Sequence, residues 1–280
     1  MALPVKLRTI YKKLRSVESE RQKALTVIVT GEKESGKSAL IKAFGKARLN
    51  VFSETEDIPK VARDLLVLAI PADEKLSVQS KELIKKAANE DCVIVLTKID
   101  KAKNIDDILA SLEKMNVDFS NVCPVSAKNN TGIEDLMKRM ASLLGIKKLA
   151  LAYQVPSFSK IVVDSITKAS AKQNAVVGAV FIIPGADMPV MTANEIKMIL
   201  EIASVYGVEM DLQRAKEILA VIGGGYGLRE IARQLLDFIP GPGWVIKGSV
   251  AYGGTFALAK AADLYFQKVV SSTYPDKINP

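Results

Sequence analysis

The segment that decides the fold is Gly31-Glu-Lys-Glu-Ser-Gly-Lys-Ser38, which directly follows the apolar run Ala24-Leu-Thr-Val-Ile-Val-Thr30. The run is rich in β-branched residues, as is typical of a buried strand, and the helix-forming residues 39–46 follow the segment. The segment itself matches the pattern G-x-x-x-x-G-K-[ST]. A strand, a glycine-rich turn and a helix in this order favour a phosphate-binding turn over a chance Gly-Lys-Ser loop.

The chemistry of phosphate binding explains the spacing within this segment. Two glycines let the backbone curl so that successive N–H groups face a phosphate chain, and the following helix directs its positive end there. We expect Lys37 to reach the β- and γ-phosphates of a nucleotide and the Ser38 hydroxyl to ligate Mg²⁺. The expected phosphate site comprises Glu34, Ser35, Gly36, Lys37, Ser38 and Ala39.

Two later segments indicate which base is bound. The apolar run 91–96 leads into Thr97-Lys-Ile-Asp100, and the short run 121–125 ends at Ser126-Ala-Lys128. Ligands of α/β sheets bind at the carboxyl ends of strands, where both segments are expected to lie. Taken alone, the first tetrapeptide could equally be a helix N-terminus with Asp100 as its cap.

In this order, the segments resemble the N/T-K-x-D and S-A-K motifs of Era/TrmE-like small GTPases. The resemblance implies that Asp100 accepts hydrogen bonds from guanine N1–H and N2–H, that Lys98 packs on the base, and that the Ala127 N–H meets guanine O6. Thr97, Ser126 and Lys128 complete the two motifs. Adenine lacks both donors, and hydrogen bonds to charged groups are worth about 1.5–3 kcal/mol each, so GTP or GDP with Mg²⁺ is the expected ligand.

The same resemblance predicts the fold class. It implies an α/β P-loop NTPase domain with a mainly parallel sheet, Ras/Era-like but reduced, because part of the family pattern is absent. A switch Thr and a D-x-x-G motif normally precede the strand 64–70, yet the first helix is expected to end near Ala47, which leaves too short a gap. The nearest substitutes are Thr55 and Asp57-Ile-Pro-Lys60, while Asp73-Glu74 is interpreted as the start of a solvated loop.

This shortening bears on catalysis. Phosphoryl transfer needs a positioned water and charge stabilisation at the γ-phosphate, and the chain contains no histidine. The sequence therefore favours a slow or partner-dependent GTPase with no assignable catalytic residue. Two alternatives stay open: a non-hydrolysing pseudo-GTPase scaffold and an ATP-dependent P-loop enzyme.

The net charge of +8 is concentrated at the start of the chain, where residues 1–23 carry a net +5. Apolar residues there recur at intervals of three and four, as on one stripe of a helix: Leu3, Leu7, Ile10, Leu14 and Val17. Three interpretations compete. The stripe packs on one of the domains, or residues 1–20 lie on an anionic membrane, or they bind nucleic acid, which is the least favoured because no known nucleic-acid-binding module accompanies the charges.

Cysteine usage and the start of the chain bear on localisation. Cys92 and Cys123 each fall in a predicted central strand, which favours buried reduced thiols over a disulfide. The first twenty residues show no cleavable signal pattern. The expected localisation is cytoplasmic, with peripheral attachment to the inner membrane as a further expectation.

From about residue 150 onward, helical signals replace strand signals. Thr192-Ala-Asn-Glu195 predicts a capping box, and Gly207 is expected to end the helix that follows. Asp211 is expected to cap a helix through Ile222, a further helix covers 228–238, and the last covers Trp244 to about Val270. The apolar run from Asn174 is too short to span a membrane, so a compact bundle is favoured over a peripheral hairpin.

Three short patterns, Ile183-Pro-Gly-Ala-Asp187, Tyr206-Gly207 and Ile239-Pro-Gly-Pro-Gly243, resemble an uncharacterised helical domain downstream of bacterial Era-like GTPases. The resemblance covers roughly residues 155–270. The expected organisation is a basic helix at 1–23, a guanine-nucleotide domain at 24–148 and an all-helical domain at 149–280. The helical domain is expected to couple nucleotide state to a membrane surface, a protein partner or self-association.

Overall fold

The computed structural model describes residues 7–87, 90–103, 105–180, 188–208 and 243–273. The chain divides into two compact units. One comprises residues 23–161, and the other combines residues 1–22 with residues 162–280. The expectations for Asp187, for the helices 211–222 and 228–238, and for the turn 240–242 lie outside the described residues.

The unit of residues 23–161 is built on a five-stranded sheet in which every pair of neighbours is parallel. Its strands are β1 Val27–Thr30, β2 Phe52–Thr55, β3 Leu65–Pro71, β4 Cys92–Thr97 and β5 Val122–Pro124, in the spatial order β2-β1-β3-β4-β5. The predicted α/β fold with a mainly parallel sheet is therefore confirmed. Strands β3 and β4 are buried along nearly their whole length because helices cover both faces of the sheet.

Five helices belong to this unit: α2 Lys37–Ala43, α3 Val78–Ala87, α4 Ile105–Lys114, α5 Ile133–Leu143 and α6 Lys148–Gln154. On one face, α3 and α4 bury Leu83, Ile84 and Leu112 against β3 and β4. Helix α2 ends at Ala43, earlier than the predicted end near Ala47. The cause is Gly45, whose φ of 84° closes the turn while its N–H donates to the Lys42 carbonyl at 3.1 Å.

Both cysteines lie in strands and are free and buried. Cys92 is in the inner strand β4, as predicted, whereas Cys123 is in β5 at the edge of the sheet, so the prediction of a central strand is wrong for Cys123. Burial raises the pKa of the Cys92 thiol to about 12 and also raises the pKa of Cys123. These thiols are therefore protonated and inert at neutral pH.

The helical unit contains α1 Leu7–Gln22, α7 Ser159–Val180, which begins just before it, α8 Met188–Val205 and α9 Gly243–Thr273. Helix α1 packs against α8, and Val17 of the predicted stripe is buried. This contact favours the first interpretation of the basic helix, in which the stripe packs on a domain. The side chains of the stripe residues before Val17 are outside the described part.

The predicted capping box at Thr192 is wrong. Helix α8 begins at Met188, so Thr192 and Glu195 lie in its interior and both are buried. The end of α8 matches its prediction: Gly207 has a φ of 69°, and the Val208 N–H donates to the Ala203 carbonyl at 3.1 Å. Among the helices of the described residues, none combines the length and apolarity needed to cross a bilayer.

Candidate phosphate and base site

The turn between β1 and α2 requires glycine at two positions. A Cβ on Gly31, where φ is 154°, would lie 2.3 Å from the Ala69 carbonyl oxygen of the neighbouring strand. Gly36 has a φ of 92°, a conformation that L side chains rarely adopt. Between them Glu34 also takes a left-handed conformation, with a φ of 63°. The turn is thus sharply bent through backbone conformations that favour glycine.

Lys37 folds back over this turn. Its side chain is buried, and Nζ donates hydrogen bonds to the carbonyls of Gly31 at 2.9 Å and Glu32 at 2.8 Å. An ammonium group has three N–H donors, so these two bonds leave one for a ligand. The Ser35 side chain is also fully buried within the turn, whereas Ala39 is exposed on the first turn of α2.

Ser38 meets a carboxylate that the motifs do not identify. Its hydroxyl lies 3.0 and 2.9 Å from the two carboxylate oxygens of Glu54 and donates to them. Glu54 is on β2, which runs parallel to β1 with Glu54 opposite Val29. A hydroxyl and a carboxylate side by side at the end of a phosphate loop are the oxygen ligands that Mg²⁺ takes, directly or through water. These two residues therefore fit a magnesium site.

Thr97 joins the second motif to the phosphate loop. Its buried hydroxyl is 2.6 Å from the Ser35 carbonyl, to which it donates, and 3.2 Å from the Ile70 carbonyl. Gly36 also lies against this threonine, since a Cβ on Gly36 would be 3.4 Å from it. Two segments more than sixty residues apart in sequence thus meet at the carboxyl ends of β1 and β4.

Lys98 and Asp100 are held by different partners just beyond β4. Lys98 has a φ of 56°, and its Nζ donates to Asp73 Oδ2 at 3.1 Å. Asp100 is exposed, and its Oδ1 accepts a hydrogen bond from the Ser126 hydroxyl at 2.6 Å. That bond keeps the pKa of Asp100 below its ordinary value, with a smaller contribution from the nearby Lys128. The Asp100 carboxylate is therefore charged, held in place by Ser126 and accessible from solvent.

The Ser126-Ala-Lys128 segment forms a tight turn after β5. Ser126 is buried and pairs with Thr131 through two backbone hydrogen bonds of 2.9 and 3.0 Å. Its hydroxyl also accepts from the Asn129 N–H at 3.2 Å. Ala127 is half-buried and Lys128 is exposed. Ser126 therefore connects this turn directly to Asp100.

The candidate substitutes for the switch residues, Thr55 and Asp57, bond to partners other than Ser38. The Thr55 hydroxyl donates to the Asp57 carbonyl at 3.0 Å, and the Asp57 carboxylate accepts from Lys86 of α3 at 2.9 Å. The bond from Lys86 holds the pKa of Asp57 below its ordinary value. Asp73 is half-buried and bound to Lys98, so it does not begin a fully solvated loop as predicted. Within the described residues, the Ser38 hydroxyl is bonded to Glu54 and to none of these three.

Sequence reasoning missed Glu54 and Glu32. Glu32, inside the phosphate loop, accepts from the hydroxyls of Ser77 at 2.9 Å and Ser80 at 2.7 Å at the start of α3. A signal for Glu54 was present: Val51-Phe52 precedes it, and β-branched and aromatic residues are typical of a strand. Glu32 occupies a variable position of the pattern, so its sequence context carries no comparable signal.

Two comparisons with known proteins bear on this arrangement. A domain of unknown function, DUF697, matches residues 159–243. Translation initiation factor IF-2 of Campylobacter lari is 31% identical over 114 residues, which cover 38% of this chain and 13% of that protein. IF-2 of Campylobacter hominis is 29% identical over 114 residues, with 38% and 12% covered. The chain thus matches only about an eighth of the length of these relatives.

The DUF697 match falls within the residues that resemble a helical domain downstream of GTPases. An all-parallel α/β unit combined with this domain fits a GTPase-associated architecture.

Proposed function

We propose that residues 24–148 bind GTP and GDP together with Mg²⁺, and that the chain is a regulatory protein of the Era-like kind. The observation that supports this most directly is the 2.6 Å hydrogen bond from the Thr97 hydroxyl to the Ser35 carbonyl. It joins the guanine-motif segment to the phosphate loop, so that one nucleotide could contact both. The partial likeness to translation initiation factor IF-2 and the all-parallel sheet give coarse support.

In this proposal the phosphates contact the loop from Glu34 to Ala39. Lys37 contributes its third N–H to the β- and γ-phosphates while its other two hold the loop. Ser38 and Glu54 would hold Mg²⁺, which neutralises charge on the β- and γ-phosphates. Glu54 also orients the Ser38 hydroxyl.

The base is selected by the second half of the site. Ser126 holds Asp100 through Oδ1, which leaves the other carboxylate oxygen and the remaining lone pairs for guanine N1–H and N2–H. Lys98, restrained by Asp73, packs along the base, and the Ala127 N–H meets O6. Adenine would leave Asp100 without donors.

Hydrolysis is proposed to be slow or dependent on a partner. The described stretch between α2 and β3 holds one strand, β2, and its two candidate switch residues are engaged with each other. Asp57 is further occupied by Lys86. Neither residue is directed at Ser38, so we assign no group among the described residues to position the attacking water.

The test is calorimetry on the full chain with GDP, GTP and ATP in the presence of magnesium. We expect GDP and GTP to bind and ATP not to displace them. Lys37→Ala should weaken binding of GDP and GTP, whereas Lys33→Ala, at an exposed lysine of the same loop, should not. An absence of heat with every guanine nucleotide would overturn the proposal. Displacement of GDP by ATP as readily as by GTP would favour the ATP-dependent enzyme instead.

Asp100→Asn tests the base site separately. Two charged hydrogen bonds are weakened, so GDP affinity should fall about a hundredfold. Because the asparagine amide can donate to the O2 of xanthine, xanthosine diphosphate should bind the variant better than GDP does. Unchanged GDP affinity in the variant would show that Asp100 does not contact the guanine base.

The single strand between α2 and β3 also favours a second candidate, a non-hydrolysing scaffold. A protein without a γ-phosphate sensor should bind GTP and GDP with similar affinity. Equal affinities, with no phosphate release after addition of cell extract, would favour the scaffold over the GTPase.

A further inference from the structure

Three valines are exposed at the facing ends of α7 and α8. Val176 and Val180, four residues apart on α7, are 62% and 66% exposed, and Val190 at the start of α8 is 47% exposed. Valine side chains in a folded domain are usually buried. A group of exposed valines marks a surface that contacts something apolar.

A side-chain contact between the two helices shows that these valines share one end. Asn194 of α8 donates to the Ser170 carbonyl at 3.2 Å and to Asn174 Oδ1 at 2.8 Å. With a rise of 1.5 Å per residue, Val180 lies about 9 Å beyond Asn174 and Val190 about 6 Å before Asn194. All three valines are therefore near the ends that residues 181–187 connect. We call this end, defined by Val176, Val180 and Val190, the valine end.

Lysines follow the valines on both helices, always farther from the connection. On α7, Lys168 and Lys172 are exposed. Lys172 is four residues before Val176 and lies on the same side of the helix, and Lys168 is one turn farther back. On α8, Lys197 is seven residues after Val190 and thus on a similar face; it pairs with Glu201 at 3.5 Å. Lys168 and Lys172 have no ion-pair partner within the described residues. By helical rise, Lys172 is about 6 Å from Val176, and Lys197 about 10 Å from Val190.

The described end of α7 carries no charge beyond its lysines: residues 173–180 contain no charged side chain. No helix in the described part of the chain could cross a bilayer, which restricts a lipid contact here to the surface. Interfacial segments bury their apolar side about 5–10 Å below the headgroups. Lys172 and Lys197 are within that distance of the nearest valine on their helices, whereas Lys168 is about 12 Å from Val176.

We propose that the valine end docks into the outer layer of an anionic lipid bilayer, with Lys172 and Lys197 at the level of the headgroups and Lys168 about one helical turn above them. The occupant is a lipid surface, because exposed lysines set back from exposed valines complement anionic headgroups above an apolar layer. A second copy of the chain is the competing occupant. Lysines are attracted to anionic lipid, whereas the valines need apolar surroundings. The proposal does not depend on nucleotide binding.

The first test is flotation of the full chain, without nucleotide, with vesicles of phosphatidylcholine containing about 30% phosphatidylserine. The double variant V176E/V180E should bind at least about tenfold more weakly, since it places charge where apolar contact is required. Leu264→Glu on α9 is the matched control: Leu264 belongs to the same unit and is 66% exposed, like Val180. Circular dichroism of each variant checks that the helices are retained.

Loss of flotation in the double variant alone supports the proposal. Equal flotation of wild type and double variant, equal loss in the control, or no flotation of the wild type overturns it. Sedimentation equilibrium without lipid detects the competing occupant. A mass above that of a monomer that V176E/V180E abolishes, together with absent flotation, would identify a second copy and overturn the lipid proposal.

A label reads the contact directly and does not rely on a variant that loses binding. Val180→Cys carrying an environment-sensitive fluorophore should shift to the blue on anionic vesicles, while the same label at Leu264→Cys should not. The native Cys92 and Cys123 are buried, so the label goes to the introduced thiol. An equal shift at both positions, or none at Val180→Cys, overturns the proposal.

The contribution of Lys168 and Lys172 to lipid binding is tested by replacing them with neutral residues. Each lysine near an anionic surface contributes about fivefold in affinity, so K168Q/K172Q should bind about 25-fold more weakly to the anionic vesicles. Weak binding to pure phosphatidylcholine should be unaffected. An unchanged affinity for the anionic vesicles would show that these lysines do not face the lipid.

Discussion

Gly31 leaves no space for a side chain at the end of β1. The neighbouring Ala69 carbonyl would be 2.3 Å from a Cβ, and this oxygen belongs to the backbone of β3, so it cannot move aside without disturbing the sheet. Gly145, after α5, offers a contrast. Its φ of 53° also favours glycine, but a Cβ added there would meet nothing within 4 Å.

We expect Gly31→Ala to destabilise the chain by about 3 kcal/mol or more, because crowding adds to the backbone penalty. Gly145→Ala should cost only about 1 kcal/mol, the backbone penalty alone. Urea denaturation followed by circular dichroism measures both. Equal losses would show that crowding at Ala69 is not the reason for glycine at position 31.

Glu54 is the carboxylate that accepts from Ser38. We expect Glu54→Gln to lower the affinity for Mg²⁺ in the presence of GDP by about tenfold, since the side chain keeps its shape and loses its charge. GDP binding in EDTA should be unchanged. Calorimetry with and without magnesium measures the difference, and Glu56→Gln, at an exposed carboxylate two residues on, is the control. An unaltered magnesium dependence in Glu54→Gln would contradict the proposed metal site.

At this scale the sequence identifies residues that belong to a fixed pattern. Lys37 could be named because it occupies a fixed position of the glycine-rich turn pattern. Thr97, Asp100 and Ser126 could be named because their segments resemble the motifs of Era/TrmE-like GTPases. Glu54 could not, because its role depends on β2 lying beside β1, and that strand has only four residues. A local sequence pattern does not predict which strands will be neighbours in the sheet.

Among the elements, β3 is fixed at its start by Asp64. Its carboxylate accepts from the Thr26 N–H at 2.8 Å, next to β1, and from Lys147 Nζ at 2.6 Å. Partial burial raises the pKa of this carboxyl, but the hydrogen bonds from Lys147 and Thr26 outweigh it, so the pKa lies below the ordinary 3.8. The charged form is therefore favoured in the folded state. Its stabilising contribution is present above the unfolded pKa and is lost as the pH falls through the folded pKa.

Asp64→Asn should lower the free energy of unfolding by about 1 kcal/mol at pH 7. The difference from wild type should shrink as the pH falls below 3.8. Asp91→Asn, at an exposed carboxylate just before β4, is the control and should have little effect on stability. Urea unfolding between pH 3 and pH 7 provides the measurement. A constant difference over that range would show that the charge of Asp64 is not involved.

Three helices of the helical unit are joined by a buried polar cluster of Asn174, Glu195 and Thr255, one residue each from α7, α8 and α9. Asn174 Nδ2 donates to Thr255 Oγ1 at 2.9 Å and to Glu195 Oε1 at 3.3 Å. Thr255 in turn donates to Glu195 at 3.3 Å. The cluster is the reason that Glu195 is buried within α8 rather than capping its start.

Thr255→Val should destabilise the chain by about 2 kcal/mol, because it removes a hydroxyl that bonds two other buried groups. Thr167→Val is the matched control: its buried hydroxyl has no partner within the described residues, so replacement should be neutral or stabilising. Thermal unfolding distinguishes the two. Similar destabilisation by both would mean that the cluster adds nothing beyond packing.

Long-range contacts between helices explain why the predicted capping box was wrong. Thr and Glu three residues apart fit both a helix start and one face of a helix interior, and only long-range partners such as Asn174 decide between them. Buried strands were easier to predict because β3 and β4 are almost wholly apolar.

At the scale of the whole molecule, α1 belongs to the unit formed by residues 162–280 rather than to the adjacent sheet unit. We expect Val17→Asp, at a buried position, to destabilise the helical unit by about 3 kcal/mol and to accelerate amide exchange in α8. Ser19→Asp, two residues on and exposed, should do neither. Exchange in β1 should be the same in both variants. Protection of α8 that survives Val17→Asp would show that the packing of α1 does not stabilise α8.

The helical unit is built from two segments that are far apart in sequence, and this affects the order in which its parts are synthesised. The sheet unit is one continuous segment, so all its parts have left the ribosome once residue 161 has emerged. Helix α1 is translated earlier, yet its packing partner α8 is made more than a hundred residues later. The nascent chain therefore carries α1 without its packing partner while the sheet unit folds, so the helical unit cannot be completed until α8 has been made.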